Sequence, residues 1–283
     1  MTSAQTIPYV GFLGPHGSFT EEAARFFFAP EVLQPFASIP DCLEAVAEER
    51  MRWGVVPIEN SVEGSVNLTL DWLGQEVDLP IQAELTLPIA QYVMAASLCP
   101  LAEVERVYSH PQAVAQCHRF LREHMPQAEI VYMSSTSEAA RWVGENPGQK
   151  WAAIGPELAM ELYHLQPLVK GAQDYDTNRT RFFLVGVQPA PLPPAKRSKS
   201  TLQVLLASDF PGALHQVLAV FAWRKLNITR IESRPTKKAL GRYHFFIDVE
   251  AGKEDVLLQG AIAEIQALNC EVRLLGSYPC YER

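Results

Sequence analysis

Thr180 sits in the run Asn178-Arg179-Thr180-Arg181-Phe182-Phe183-Leu184-Val185, a hydroxyl between two arginines at the start of an apolar stretch. A hydroxyl donates a hydrogen bond to a leaving oxygen, and a guanidinium holds a carboxylate through two parallel N–H bonds. The segment therefore has the parts needed to handle a small dianion. It is also good strand material, since β-branched and aromatic residues suit a pleated surface. Its weight depends on which other segments accompany it.

Three do. In Gly11-Phe-Leu-Gly14-Pro-His-Gly17-Ser18-Phe-Thr-Glu21 a strand runs into glycines, and a helix opens with a capping box. Ser18 accepts from the amide of Glu21, and Glu21 reaches back to Ser18. Such a helix start is an anion site, although a tight, well-capped turn explains the same letters. A dinucleotide fold is excluded, because the glycine spacing is wrong and no acidic ribose ligand closes the next segment, Leu33 to Phe36. In Val55-Val56-Pro57-Ile58-Glu59-Asn60-Ser61-Val62-Glu63-Gly64-Ser65 a buried strand delivers Asn60 and Ser61 into a loop. Both are neutral donors suited to carboxylates, and both are also common turn residues. In Ser109-His110-Pro111-Gln112, proline fits a first helical turn, Ser109 is the expected cap, and Gln112 is the more suggestive residue.

Other chemistries are missing. The five cysteines, Cys42, Cys99, Cys117, Cys270 and Cys280, are widely spaced with no Cys-x-x-Cys pair, so neither a disulfide framework nor a zinc site is expected. His110 and His118 have no third ligand nearby, and Cys117 and His118, as helix neighbours, point apart. No metal and no cofactor are expected.

The chain has 283 residues, 48% hydrophobic and 20% charged, with a net charge of −8. The acidic balance speaks against nucleic acid and anionic membrane as partners. Leu87 to Leu101 is broken by Pro88 and Gln91 and is too short to span a bilayer. Met1 to Gln5 lacks the basic start and apolar core of a secretory signal, so the cytoplasm is expected. Residues 188–200 hold four prolines and then a basic run, which suits an extended linker and cannot build a core. Before it, strands alternate with helices, which implies an α/β layer architecture with mainly parallel strands. Ligands in such sheets sit at the carboxyl ends of strands, beside helix N-termini. After it, strands at 201–207, 228–233, 242–250 and 270–275 and helices at 212–225 and 253–268 give the βαββαβ order of a ferredoxin-like module.

Gly14-Pro15-His16-Gly17-Ser18-Phe19, Pro57-Ile58-Glu59-Asn60-Ser61, Ser109-His110-Pro111-Gln112 and Asn178-Arg179-Thr180-Arg181-Phe182 follow in this order. Together they resemble the signature set of the prephenate dehydratases. The resemblance implies a catalytic region, 1–187, of two lobes similar to a type II periplasmic binding protein: about 1–82 plus 168–187, and 83–167. The active site would lie between them, with Thr180 in the place of the family's essential threonine. Ser18, Asn60, Ser61, Gln112, Arg181 and Phe182 would form the substrate site, with Arg181 and the helix N-termini on the pyruvyl carboxylate.

In residues 201–283, Pro211-Gly212-Ala213-Leu214 and Glu232-Ser233-Arg234-Pro235 resemble the ACT regulatory domain of the same family. The resemblance implies that phenylalanine binds at an interface between two such domains and inhibits the enzyme. Gly212, Ala213, Leu214, Glu232, Ser233, Arg234 and Pro235 are the residues it points to, and a dimer or dimer of dimers follows. A solvated charge pair on a sheet edge also accounts for Glu232 and Arg234. Two other readings remain at this point. One is arogenate dehydratase, which runs the same elimination on the amino analogue; the other is a non-catalytic amino-acid sensor.

Overall fold

The computed structural model describes residues 9–208, 210–237 and 241–283, and Met1–Gln5 lie outside them. The first lobe contains β1 (Val10–Leu13), α1 (Phe19–Phe27), β2 (Leu33–Phe36), α2 (Ile39–Ala47), β3 (Trp53–Asn60), the short β4 (Gly64–Ser65), α3 (Asn67–Asp71) and β5 (Ile81–Pro88). Helix α2 shows why these segments take these forms. Ser38 caps it by accepting from Asp41 N–H, Pro40 occupies its first turn, and Ile39, Cys42, Leu43 and Val46 form one buried stripe.

The second lobe follows as β6 (Tyr92–Ala95), β7 (Arg106–Ser109), α4 (Pro111–Gln116), α5 (His118–His124), β8 (Glu129–Tyr132), α6 (Thr136–Glu145), β9 (Trp151–Gly155), α7 (Glu157–Leu162) and β10 (Gln166–Val169). Its sheet has the order β10-β6-β9-β7-β8. The chain then returns to the first lobe as β11 (Arg179–Val185), antiparallel between β3 and β5. The changes of sheet thus fall between Pro88 and Tyr92 and between Val169 and Arg179. The sequence boundaries at 82/83 and 167/168 cut instead through β5 and β10. Periodicity marks a segment as strand but does not reveal which sheet it joins.

The C-terminal module is β12 (Arg197–Leu205), α8 (Ala213–Trp223), β13 (Ile228–Pro235), β14 (Tyr243–Val249), α9 (Val256–Ala267) and β15 (Glu271–Glu282). Its order, β13-β14-β12-β15, is that of a ferredoxin-like sheet. Two features depart from the expected free-standing module. Arg197–Ser200, read as linker, are already strand and pair with β15 from Cys280 back to Ser277. The prolines stop at Pro194, so from there on the chain has amides to give to a ladder.

The second departure is at β15, which runs on past the module and pairs in parallel with β5, Cys280 opposite Glu84 and Glu282 opposite Thr86. Module and first lobe therefore share one sheet. Phe246, Leu275 and Tyr278 of the module pack into a single core with Leu43, Leu70, Leu73 and Phe183. Full burial of such a side chain stabilises by about 1.5–3 kcal/mol, so this seam is part of the fold. Gly74 permits the approach: a Cβ there would lie 2.5 Å from the Phe246 ring. No helix among the described residues is long and apolar enough to cross a membrane.

Candidate active site

Period-two alternation along β11 decides which of its side chains can meet a ligand. Thr180 and Phe182 share one face, and Arg181 and Phe183 the other. At the cleft end of the strand, Thr180 Oγ1 accepts a 2.8 Å hydrogen bond from Asn60 Nδ2. Asn60 is held at the end of β3, where its Oδ1 accepts the amides of Val62 and Glu63 at 2.9 and 3.1 Å. Its second amide hydrogen goes to Asn178 Oδ1 at 2.9 Å. Asn178 is buried and passes the network on, donating to Gln116 Oε1 at 3.1 Å, and Gln91 Nε2 donates to the same oxygen at 3.2 Å.

Above this network lies a cavity of about 250 Å³ between the lobes, walled by Thr180, Asn60, Phe19, Ile89, Gln91, His110, Gln112, Gln116 and the segment Ser134–Thr136. It lies at the carboxyl ends of β3, β7 and β8, as expected for an α/β sheet. Ser135 caps α6 by accepting from Glu138 N–H at 3.0 Å, so the positive end of that helix faces the cavity. A wider cleft of about 660 Å³ adjoins it through Ser134 and Ser135 and carries His16 and Arg141. A separate groove of about 500 Å³ follows the seam between β5, β12 and β15. None of the substrate or effector residues expected from the sequence lines it.

Among the described residues no lysine or arginine lines the inner cavity. Its polar wall is made of hydroxyls, amides and one imidazole. His110 Nδ1 accepts from Gln112 N–H at 3.3 Å, so the neutral ring carries its proton on Nε2 and acts as a donor. It is His110, not Ser109, that caps α4. Ser109 is fully buried and donates to Ile154 O.

Several expected substrate residues lie elsewhere. Arg181 faces away from the cavity and pairs with Glu59, Glu84 and Asp248, the last on the C-terminal module. Burial alone would lower its pKa, but the carboxylates of Glu84 and Asp248 raise it well above the usual range, so it stays charged. Phe182 is buried in the core under α1 with Phe12 and Leu85. Ser18 spends its hydroxyl on the Leu13 carbonyl and the Glu21 amide. Glu21 does not return to Ser18: its carboxylate accepts from Gly17 N–H at 2.7 Å and from Arg25, which fills the expected anion site from within. Gly17 itself marks a contact between lobes, since a Cβ there would lie 2.7 Å from Ser137 Oγ. Ser61 ties the β3 turn to Thr177 and Arg179 and does not reach the cavity wall.

Gln91, Gln116, His110 and Ser134–Thr136 went unread as cavity residues. Ser135 with Glu138 is a capping box that the sequence displays openly. The glutamines carry no comparable signal.

In the C-terminal module, Gly212 has φ +94° and opens α8. Leu205 pairs with His244, and His244 with Arg234, so the Gly212–Leu214 turn and the Arg234–Pro235 end of β13 belong to the same end of the sheet. Glu232 and Arg234 do not pair with each other. Glu232 accepts from Ser65 Oγ at 2.6 Å, and Arg234 binds Asp71 through two bonds of 2.7 and 2.9 Å. Those bonds hold the Asp71 carboxyl below its usual range. Ser233, between them, is exposed.

The prephenate dehydratase family model matches residues 10–190, and the ACT domain model residues 200–266. The prephenate dehydratase of Bacillus subtilis is 42% identical, over 96% of this chain and 99% of its own. The crystal structure of prephenate dehydratase from Arthrobacter aurescens in complex with L-Phe superposes with a TM-score of 0.85 at 36% identity, covering 96% of this chain and 89% of that one. A structure described as GqqA, a novel type of quorum quenching acylase, has a TM-score of 0.83 at 28% identity, covering 96% of this chain and 98% of its own. The match over nearly the full length of the Bacillus enzyme makes this chain a member of the prephenate dehydratase family, with an ACT domain at its C-terminal end.

Proposed function

We propose that the interlobe cavity converts prephenate to phenylpyruvate, carbon dioxide and water, as a carbon–oxygen lyase of phenylalanine biosynthesis. The electron pair of the bond to the ring carboxylate moves into the ring as carbon dioxide leaves. The carbon–oxygen bond to the ring hydroxyl breaks, and the departing oxygen, hydrogen-bonded as it goes, takes up one solvent proton and leaves as water. Aromatisation drives the reaction, so the chain needs no strong base and no nucleophile. It must hold the dianion in the eliminating conformer, keep water off the carboxylate that leaves, and stabilise the departing oxygen.

One observation carries this reading: Asn60 makes Thr180 Oγ1 an acceptor, which leaves the Thr180 proton free for a ligand. Thr180 is the group that donates to the leaving oxygen. Gln112 and the first turn of α6 supply neutral donors and a helix dipole for carboxylates. Arg141 supplies positive charge in the outer cleft. Amide hydrolysis is less well supported, because His110 is a donor through Nε2 and, among the described residues, no second base stands beside Thr180 in the cavity wall.

Phenylalanine inhibits by binding at the end of the ACT sheet that carries Gly212, Ala213 and Leu214 together with Glu232, Ser233, Arg234 and Pro235, between two copies of the chain. A homodimer, or a dimer of dimers, is the working form. Five unpaired cysteines fit a cytoplasmic setting. The test is turnover of the purified protein on prephenate, following phenylpyruvate with and without phenylalanine. Turnover suppressed by phenylalanine supports both halves. Turnover on arogenate alone reassigns the substrate, and phenylalanine binding with turnover on neither compound leaves a sensor. Thr180→Ala, folded and assayed in parallel, is expected to lose roughly 10²–10³ in kcat, the scale of one oxyanion donor.

A further inference from the structure

Glu63 is the one carboxylate that reaches donors of the cavity wall from across the cleft, among the described residues. It sits on the turn between β3 and β4 in the first lobe, and its two oxygens accept from the side-chain amides of Gln112 and Gln116 on α4 of the second. The Gln116 bond measures 2.9 Å. Both glutamines line the cavity. Glu63 is exposed and has no cation partner among the described residues, and its backbone is held independently of its side chain, through the bond from its amide to Asn60 Oδ1. Its side chain can therefore leave by bond rotation while the turn keeps its place.

Glu63 also sets which way the two amides face. A carboxylate only accepts, so both glutamines turn their Nε2 atoms toward it. Gln116 Oε1 is thereby left to accept from Asn178 and Gln91. The chain thus presents a pair of neutral amide donors, aimed at one point over the cavity and already carrying a carboxylate.

We propose that Glu63 is an internal stand-in for a substrate carboxylate, a residue that sets affinity by holding Gln112 and Gln116 as donors and giving way to the incoming anion. This rests on the reading of the cavity as a prephenate site. Exchange replaces like with like, since each amide trades one carboxylate oxygen for another. A dianion in a wall that holds no lysine or arginine among the described residues is repelled by a third negative charge at close range, and no cation there offsets that repulsion. Glu63 therefore competes with substrate and is absent from the loaded cavity.

The test compares wild type with Glu63→Gln in two measurements: steady-state turnover of prephenate, and calorimetric titration with phenylpyruvate, a carboxylate that does not react further. A neutral side chain competes less and repels nothing, so KM on prephenate and Kd for phenylpyruvate should both fall. About tenfold is the scale of one charge-assisted contact or like-charge repulsion of this kind. kcat should stay within about twofold, because Glu63 has left before the chemistry. Unchanged or weaker binding in E63Q overturns the proposal and makes Glu63 a latch that helps close the lobes. The two readings fail separately. Wild type that is inert on prephenate while E63Q binds phenylpyruvate more tightly removes the substrate assignment and keeps the competition.

Discussion

Asn60 Nδ2 donates to Thr180 Oγ1 across 2.8 Å, and the backbone sets the direction of that bond. The amides of Val62 and Glu63 occupy both acceptor positions of Asn60 Oδ1, so its Nδ2 must face β11. One of the two hydrogens there goes to Thr180 and the other to Asn178. Asn60 has nothing left for a ligand. The sequence suggested a substrate contact; the geometry makes Asn60 the residue that positions the Thr180 proton.

Asn60→Asp tests this role. An aspartate still accepts from Val62 and Glu63, so the turn keeps its form, but it cannot donate to Thr180. The Thr180 proton would turn to the new carboxylate and be lost to the leaving group. kcat on prephenate should fall by roughly 10²-fold or more, as for loss of an oxyanion donor. The double variant N60D/T180A should be no slower than T180A alone, since residues acting as one unit are not additive. Wild-type kcat in N60D would remove Asn60 from the mechanism.

Arg181 gives the second prediction. It joins buried Glu84 and Asp248 across the seam between the first lobe and the ACT domain, and Lys199 adds a 2.8 Å contact to Glu84. Arg181→Met leaves those carboxylates short of a cation, and breaking a buried pair from one side costs about 3–5 kcal/mol. The melting temperature should drop by many degrees, with KM of the remaining folded enzyme nearly unchanged. An unchanged melting temperature with a raised KM would restore Arg181 as the substrate's carboxylate clamp.

How far the sequence carried depends on whether a feature is local. The motif resemblance put Thr180 and Gln112 together, and both line the cavity; the ferredoxin-like order was legible from periodicity, which stays within short windows. Arg181 was decidable from the strand alone: neighbours on a strand face opposite ways, so Thr180 and Arg181 do not serve one cavity. The Ser135–Glu138 cap is equally local, a serine followed three residues later by a glutamate. Gln91, Gln116 and Asn178 are different. Their role comes from tertiary pairing across tens of residues, and an isolated glutamine says nothing of which way its amide will face. The parallel pairing of β15 with β5 was hidden for the same reason, since no turn or crossover connects them.

Thiol chemistry supplies the third test. Burial pushes Cys42 and Cys117 up to about 12, and Cys280 likewise. At pH 8 only about one such thiol in 10⁴ is ionised, and the thiolate is the reactive form. In the native protein a disulfide reagent should modify Cys270 and then Cys99, and more slowly the half-buried Cys280, with the buried Cys42 and Cys117 reacting only on unfolding. Activity should survive that first phase. Rapid reaction of all five thiols in the folded enzyme would contradict the burial on which this rests.

The Asp71–Arg234 contact links the Arg234–Pro235 end of the ACT sheet to the first lobe, and its pH response has a definite sign. The hydrogen bond from Arg234 holds the Asp71 carboxyl below its ordinary value. A group with a depressed folded pKa adds stability that is complete above the unfolded value, about 3.9 for aspartate, and is lost as pH falls through the folded one. Stability of wild type relative to Asp71→Asn should thus be constant from neutral pH to about pH 5 and shrink below pH 4. The difference on the plateau should be on the order of 1 kcal/mol, as for a partly exposed ion pair. Arg234 sits beside the exposed Ser233 at the sheet end proposed to take phenylalanine, so loosening it should also weaken inhibition. In D71N the phenylalanine concentration for half-inhibition should rise severalfold with uninhibited kcat unchanged, because Asp71 lies outside the cavity wall. If D71N loses stability as described but keeps the wild-type midpoint for phenylalanine, the contact fastens the domain without carrying the signal. The coupling would then pass through Glu232 and Ser65, which adjoins the turn bearing Asn60 and Glu63.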